Sequence, residues 1–166
     1  MPRSGFDPAR RRFLTGRPSP TPPPWADPGA LHERCTGCGA CAAACPTGIV
    51  VTGPAGHPRI DFARGECTFC GACAEACPEP IFAARTDPPW AIVAAIGEPC
   101  LALRGIVCQS CRDACPESAI RFELAYRAAP RPRVDTAACT GCGACVAGCP
   151  AGAITVAPPA GGAARG

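Results

Sequence analysis

Lysine is absent from this chain of 166 residues; all sixteen basic side chains are arginine. Aromatic side chains are scarce, with two Trp, one Tyr and six Phe. A core built only from these would be thin for the length, and small thin-cored domains are usually stapled by disulfides or metals. Long apolar runs are missing as well. The longest, Trp90 to Gly97 (WAIVAAIG), is far short of the ~20 residues a membrane-spanning helix needs, so no membrane span is expected. There is no basic body: from Cys35 onward ten Arg are balanced by ten acids. A nucleic-acid-binding body would show a basic face or stripe, so no nucleic-acid partner is expected. The excess charge of +3 lies in residues 1–34, where six Arg meet only Asp7, Asp27 and Glu33. The common catalytic signatures are missing too: no G-x-G-x-x-G after a strand, no P-loop, no H-E-x-x-H, no G-x-S-x-G. No side-chain constellation points to substrate chemistry, and the expectation is a protein that is not an enzyme.

What the chain has in excess is cysteine, sixteen residues in a repeated pattern. CTGCGACAAACP begins at Cys35, CTFCGACAEACP at Cys67 and CTGCGACVAGCP at Cys139. All three read C-x2-C-x2-C-x3-C-P. A fourth, degenerate copy at Cys108, CQSCRDACP, keeps C-x2-C-x3-C-P. Gly105 stands where its leading Cys belongs, and the nearest candidate upstream is Cys100. Short cysteine-rich chains are often disulfide scaffolds, but those rarely repeat one tight spacing. Zinc sites usually use separated C-x2-C pairs. The regular run is the ligand pattern of bacterial iron–sulfur ferredoxins. Three cysteines within seven residues wrap a tight loop around one cubane, each thiolate on a different iron. The fourth, a helical turn later, points away to the neighbouring cluster, and the following Pro helps end the segment. Gly-Ala between the second and third Cys lets the backbone, and its N–H groups, approach the sulfurs.

By this two-cluster pattern, Cys35, Cys38, Cys41 and Cys77 form one ligand set, and Cys67, Cys70, Cys73 and Cys45 a second. Cys139, Cys142, Cys145 and Cys115 form a third. The last set is Cys108, Cys111 and Cys149, with either Cys100 or nothing. The expected cofactors are therefore three [4Fe–4S] clusters and a possible fourth. At the irregular site Gln109-Ser110 replaces Gly-Ala, and Arg112-Asp113 adds charge; a three-iron, labile or empty site is the alternative there. Even so, Cys115 stays necessary, because its sulfur serves the neighbour.

The expected fold is α+β: two tandem two-cluster ferredoxin-like modules of short strands and helices behind a disordered Pro-rich N-terminal tail. Residues 1–34 read as the tail, with Arg17 to Trp25 an extended polyproline spacer. The first module spans 35–86. Gly48–Thr52 and Arg59–Phe62 are its strands, joined by a hairpin loop, and each cysteine run holds a short helix. Asp87-Pro-Pro breaks the chain. The second module spans 90–157, with strands at Ala91–Ile96, Ala119–Tyr126, Arg133–Asp135 and Ala153–Val156. Residues 158–166 read as a disordered tail. His32 and His57 are expected in solvent, and Trp25 and Trp90 in packing roles.

Several features together resemble one family: ARRRFLTGR, the PPPW that follows, two regular runs, then WAIVAAIGEPCLALRGIVCQSCRDACPESAIRF before the last run. They are similar to the NapF family of ferredoxin-type proteins encoded with periplasmic nitrate reductases, from about Asp7 to about Val156. The resemblance implies a cytoplasmic accessory protein. Its partner would be the precursor of the molybdenum-containing catalytic subunit, before export, and its action electron transfer or iron–sulfur assembly. By position, it carries over the twelve cysteines of the regular runs as ligands and leaves the count at the irregular run open. An electron-transfer subunit (polyferredoxin) of another respiratory or hydrogenase-type complex is the competing expectation.

Arg10-Arg11-Arg12-Phe13-Leu14 looks like the start of a twin-arginine export signal. A secretory signal needs an apolar stretch of about 7–15 residues next. Here Thr-Gly-Arg-Pro-Ser-Pro follows Leu14, so the address is incomplete. The expectation is a protein that stays in the cytoplasm and meets the precursor, or the twin-arginine signal-binding machinery, through Arg10–Leu14.

Overall fold

The computed structural model describes residues 20–53 and 56–159. The Arg10–Leu14 segment, hairpin-loop residues Pro54 and Ala55, and 160–166 lie outside the described residues. The elements in order are α1 (Pro28–Arg34), α2 (Ala40–Ala43), β1 (Val50–Thr52), β2 (Pro58–Ile60), a 3-10 turn (Phe62–Arg64) and α3 (Ala72–Glu75). Then come β3 (Val93–Ile96), α4 (Ser110–Asp113), β4 (Ile120–Ala125), β5 (Ala128–Val134), α5 (Ala144–Ala147) and β6 (Ile154–Ala157).

Each cysteine run makes a loop and then one helical turn. The turn stops because the fourth Cys is followed by Pro in every copy (Pro46, Pro78, Pro116, Pro150). Pro donates no backbone hydrogen bond and disfavours helical geometry in the residue before it. The strands pair as three antiparallel ribbons: β1 with β2, β3 with β6 and β4 with β5. Val50 faces Ile60 in the first, Ile96 faces Ile154 in the second and Ile120 faces Val134 in the third. The expected strand bounds shift by one or two residues at most ends and by five at the start of β5. Asp61 accepts from the Ala63 N–H at 3.2 Å and turns the chain into the 3-10 turn, so β2 ends before Phe62. β5 begins at Ala128 rather than Arg133.

Two apolar clusters form the core. Ile49, Val50, Ile60, Phe62, Cys73 and Ile92 make the first. Val93, Ala94, Cys111, Ala119, Ile120, Cys139, Cys145 and Ile154 make the second. Val146 packs against both, so the two modules share a boundary of side chains. Cysteines are core members in both, which is how a chain so poor in aromatics fills its interior.

The expected N-terminal tail is too long. Pro23, Pro24 and Trp25 are buried, not a solvated spacer. The Ile60 N–H donates to the Thr21 carbonyl at 2.8 Å, and Ala83 N–H to that of Trp25 at 2.8 Å. The Trp25 N–H donates to Pro89 and its indole Nε1 to Asp87, at 2.7 and 2.8 Å. Ala26 forms an isolated antiparallel bridge with Phe82. Asp27 then caps α1, accepting from Ala30 N–H at 2.7 Å, with Pro28 at the first helical position. The segment from Thr21 to Arg34 is thus part of the first module, and Asp87-Pro-Pro is its anchor as well as the break between modules.

Candidate metal centres

All sixteen cysteines are free thiols. They line four separate hollows, four to each. Site I is lined by Cys35, Cys38, Cys41 and Cys77. Site II is lined by Cys45, Cys67, Cys70 and Cys73. Site III is lined by Cys115, Cys139, Cys142 and Cys145. Site IV is lined by Cys100, Cys108, Cys111 and Cys149. Their open volumes, solvent at the mouth included, are about 460, 320, 320 and 310 Å³. Each run thus places three thiols around one hollow and sends the fourth, one helical turn on, to its neighbour. At site IV Cys100 takes the place of the missing leading thiol.

The helical turns carry out this division. The two turns of each module pack side by side, α2 on α3 and α4 on α5, so each fourth Cys faces the next run. Gly39, Gly71 and Gly143 hold the loop-to-turn step in the left-handed region, at φ 77, 79 and 84. At the irregular run Gln109 takes φ −131 instead, so this loop follows another path to its turn. Cys100 and Cys108 are eight positions apart where Cys35 and Cys38 are three, and the extra chain carries Leu103, Ile106 and Val107 to the surface. The charges expected beside site IV meet each other: Arg112 pairs with Asp113 at 3.0 Å, both largely exposed.

Hydrogen-bond donors aim at several sulfurs. Backbone N–H groups of Phe69, Ala94 and Ala153 reach the Sγ atoms of Cys67, Cys139 and Cys149, each at 3.4 Å. The Thr47 and Ser110 hydroxyls lie 3.6 Å from Cys45 and Cys108. At Cys108 the backbone N–H and hydroxyl of Ser110 bring the thiol below its ordinary value. At Cys45 burial is the largest single influence and opposes ionisation, but the Thr47 hydroxyl and the surrounding N–H groups outweigh it. The buried thiols go the other way. Burial is the largest cause, reinforced by neighbouring thiols and at Cys67 and Cys73 partly opposed by backbone N–H donors; it pushes Cys67 and Cys73 up to about 11 and Cys145 to about 12. Burial likewise raises Cys41, Cys111 and Cys142.

This donor set fits a polynuclear cluster. Among the described residues no three His, Cys, Asp or Glu converge tightly enough for a single metal ion. Tetrahedral zinc needs four sulfurs about 2.3 Å from one centre. The thiols instead ring each hollow, as one thiolate per iron requires. Crowded buried thiols are poor thiolates by themselves, and iron supplies the positive charge that ionises them.

The histidines differ from the expectation of two solvated rings. His32 is exposed, but His57 is half-buried, and its Nδ1 is buried without a hydrogen-bond partner among the described residues. The two rings lie 5.9 Å apart. Trp25 and Trp90 do pack, through a chain of aromatic contacts with Phe69 and Phe62 that sequence reasoning missed. A repeat marks both Trp: Pro23-Pro24-Trp25-Ala26 and Pro88-Pro89-Trp90-Ala91. Each Trp stands ten positions before a Cys, Cys35 and Cys100. That register is the signal that aligns Cys100 with Cys35.

A family model described as a 4Fe–4S dicluster domain matches residues 34–81 and again 105–153. The second match begins after Cys100. Over 135 residues the chain is 50% identical to the ferredoxin-type protein NapF of Haemophilus influenzae, covering 81% of this chain and 77% of that protein. Over 155 residues it is 40% identical to the ferredoxin-type protein NapF of Escherichia coli K12, covering 90% of this chain and 94% of that protein. No helix among the described residues is long and apolar enough to cross a membrane.

Proposed function

Since the chain belongs to the NapF family of ferredoxin-type, 4Fe–4S dicluster proteins, we propose that it is a cytoplasmic iron–sulfur accessory protein. In this reading it assists maturation of the molybdenum-containing catalytic subunit of a periplasmic nitrate reductase before that subunit is exported, by electron transfer or by iron–sulfur assembly. The observation that carries the reading is the partition of sixteen thiols into four hollows of four. The proposed ligands are Cys35, Cys38, Cys41 and Cys77 at site I, and Cys45, Cys67, Cys70 and Cys73 at site II. Sites III and IV take Cys115, Cys139, Cys142 and Cys145, and Cys100, Cys108, Cys111 and Cys149. A [4Fe–4S] cluster at each would supply one-electron chemistry at a potential tuned by sulfur hydrogen bonds and solvent access.

The proposed contact with the reductase precursor is Arg10–Leu14. The test is co-purification of the anaerobically isolated protein with that precursor. Replacing Arg10, Arg11 and Arg12 by Gln tests the segment without touching the packed residues from Thr21 onward. Lost precursor binding with unchanged iron content supports the reading. Full binding by the variant removes the arm from it, and no binding by the native protein removes the partner.

A further inference from the structure

Besides Val146, much of the boundary between the modules falls on one loop, the one that wraps site III. The Cys67 N–H, at site II, donates to the carbonyl of Cys142, at site III, at 2.8 Å. Trp90 Nε1 donates to the Thr140 carbonyl at 2.9 Å. A Cβ on Gly141 would run into the Ile92 carbonyl and the Trp90 ring, and one on Gly143 into the Phe62 ring. The loop from Cys139 to Cys145 is therefore gripped by Cys67 and Phe62 of the first module, and by Trp90 and Ile92, at four neighbouring positions, Thr140 to Gly143. Phe69 backs Trp90 from the first-module side. It stands where the other regular runs have Gly37 and Gly141, and it adopts their left-handed backbone, φ 54 against 70 and 74. A bulky side chain in that region is uncommon and points to a constraint from its surroundings. Its ring sits between Trp25 and Trp90, centroids 6.4 and 5.6 Å away, and Trp90 in turn meets Phe62 at 5.9 Å. The outer ends are unlike this: a Cβ on Gly39, in the site I loop, would meet nothing within 4 Å.

We propose that this boundary is a fixed junction that makes sites II and III neighbours, so that the four sites form one unbranched series, I–II–III–IV, rather than two independent pairs. Phe69 and Trp90 are its positioning residues, and the Cys67–Cys142 hydrogen bond is its shortest through-backbone link. The order follows from side-by-side helical turns within each module and from this link between them. The proposal rests on the reading that the sites hold clusters, and the two can fail separately.

The magnetic test uses a variant carrying Cys38→Ala, Cys41→Ala, Cys108→Ala and Cys111→Ala, which keeps only sites II and III, about eight irons per chain. After anaerobic reduction by dithionite its EPR spectrum is expected to be split or broadened beyond the sum of variants keeping II alone and III alone. Adding Phe69→Gly and Trp90→Ala is expected to reduce that splitting at unchanged iron content. A spectrum equal to the simple sum overturns the junction. A second measurement needs neither iron nor a variant. Amide hydrogen exchange of the native protein is expected to protect the Cys67 N–H as strongly as core amides such as that of Asp61, which bonds Ile49 at 2.8 Å. Exchange of Cys67 at the rate of an open loop overturns the proposal even where the iron content is full. An iron-free protein with Cys67 protected would sink the cluster reading and leave the junction standing.

Discussion

Replacing Trp25 by Ala tests whether the Pro-rich segment is a tail or a structural part of the first module. Trp25 is 8% exposed, and its indole N–H donates to the Asp87 carbonyl at 2.8 Å. Truncating a buried Trp costs about 3–5 kcal/mol, because the cavity closes only partly. The Asp87 carbonyl also loses its donor, which costs about 1 kcal/mol if water replaces the bond and up to ~3 if it stays buried. The backbone bonds of Trp25 to Pro89 and Ala83 survive the change. The expected loss is therefore about 4–8 kcal/mol, a large part of the ~5–15 that holds a domain together. With a urea slope of ~1–3 kcal/mol per molar, the midpoint should fall by at least about 1 M. The assay follows bleaching of the cluster absorbance of the anaerobic protein across a urea series, with loss of helix and strand signal in parallel. Trp25→Phe keeps much of the packing and loses only the indole N–H, so it should fall between the two, by about 1–3 kcal/mol. A midpoint for Trp25→Ala within ~0.3 M of native would refute the packing of this segment, since such a shift is under about 1 kcal/mol.

Further outcomes follow from the sites. Cys149→Ala removes a site IV thiol from the run that otherwise serves site III. It should cost about four irons and leave sites I to III loaded, as resolved by iron analysis and EPR. Cys115→Ala should do the converse, emptying site III and sparing site IV; loss at IV instead would contradict the crossed arrangement. For pH, Cys67, Cys73 and Cys145 are raised from the ordinary thiol value of 9.0 to about 11, 11 and 12. The apo fold thus keeps their contribution below about pH 9 and loses it as pH climbs toward 11–12, because the unfolded thiols ionise first. Thermal unfolding of the apo protein across that range should show falling stability, and rising stability would contradict the burial of these thiols. Iron binding must release the same protons, so chelator competition at fixed iron should strip clusters faster as pH falls. Finally, Arg112→Ala breaks an exposed pair and should change stability by less than ~0.5 kcal/mol with no loss of iron.

How the thiols divide among the four hollows was legible in the sequence because it depends on local geometry. A tight loop, one helical turn and a Pro stop determine where four sulfurs go, and all of these lie within a dozen residues. The ribbons were legible for the same reason, as short apolar runs around turn residues. The N-terminal segment was misread because its composition is that of a spacer. Three consecutive prolines are extended in a linker and in a packed strand-like segment alike; what decides is whether something receives the Trp that follows. Here Asp87, Pro89 and Phe69 receive it, and they lie more than forty positions away. The PPWA repeat ahead of Cys35 and Cys100 carries that information, in residues outside the cysteine runs. Phe69 was invisible for a related reason. In the sequence it is one departure from a Gly; its contact with Trp90 exists only once the modules are assembled.

The most direct measurement for the central claim, four cluster sites of four cysteines each, is iron and acid-labile sulfide per chain in protein isolated without oxygen. About sixteen of each are expected, with every cysteine unreactive to alkylation until the iron is removed. About twelve of each, with Cys100 and Cys108 freely alkylated, would show site IV empty and contradict it. A colourless, iron-free protein would contradict it at all four sites.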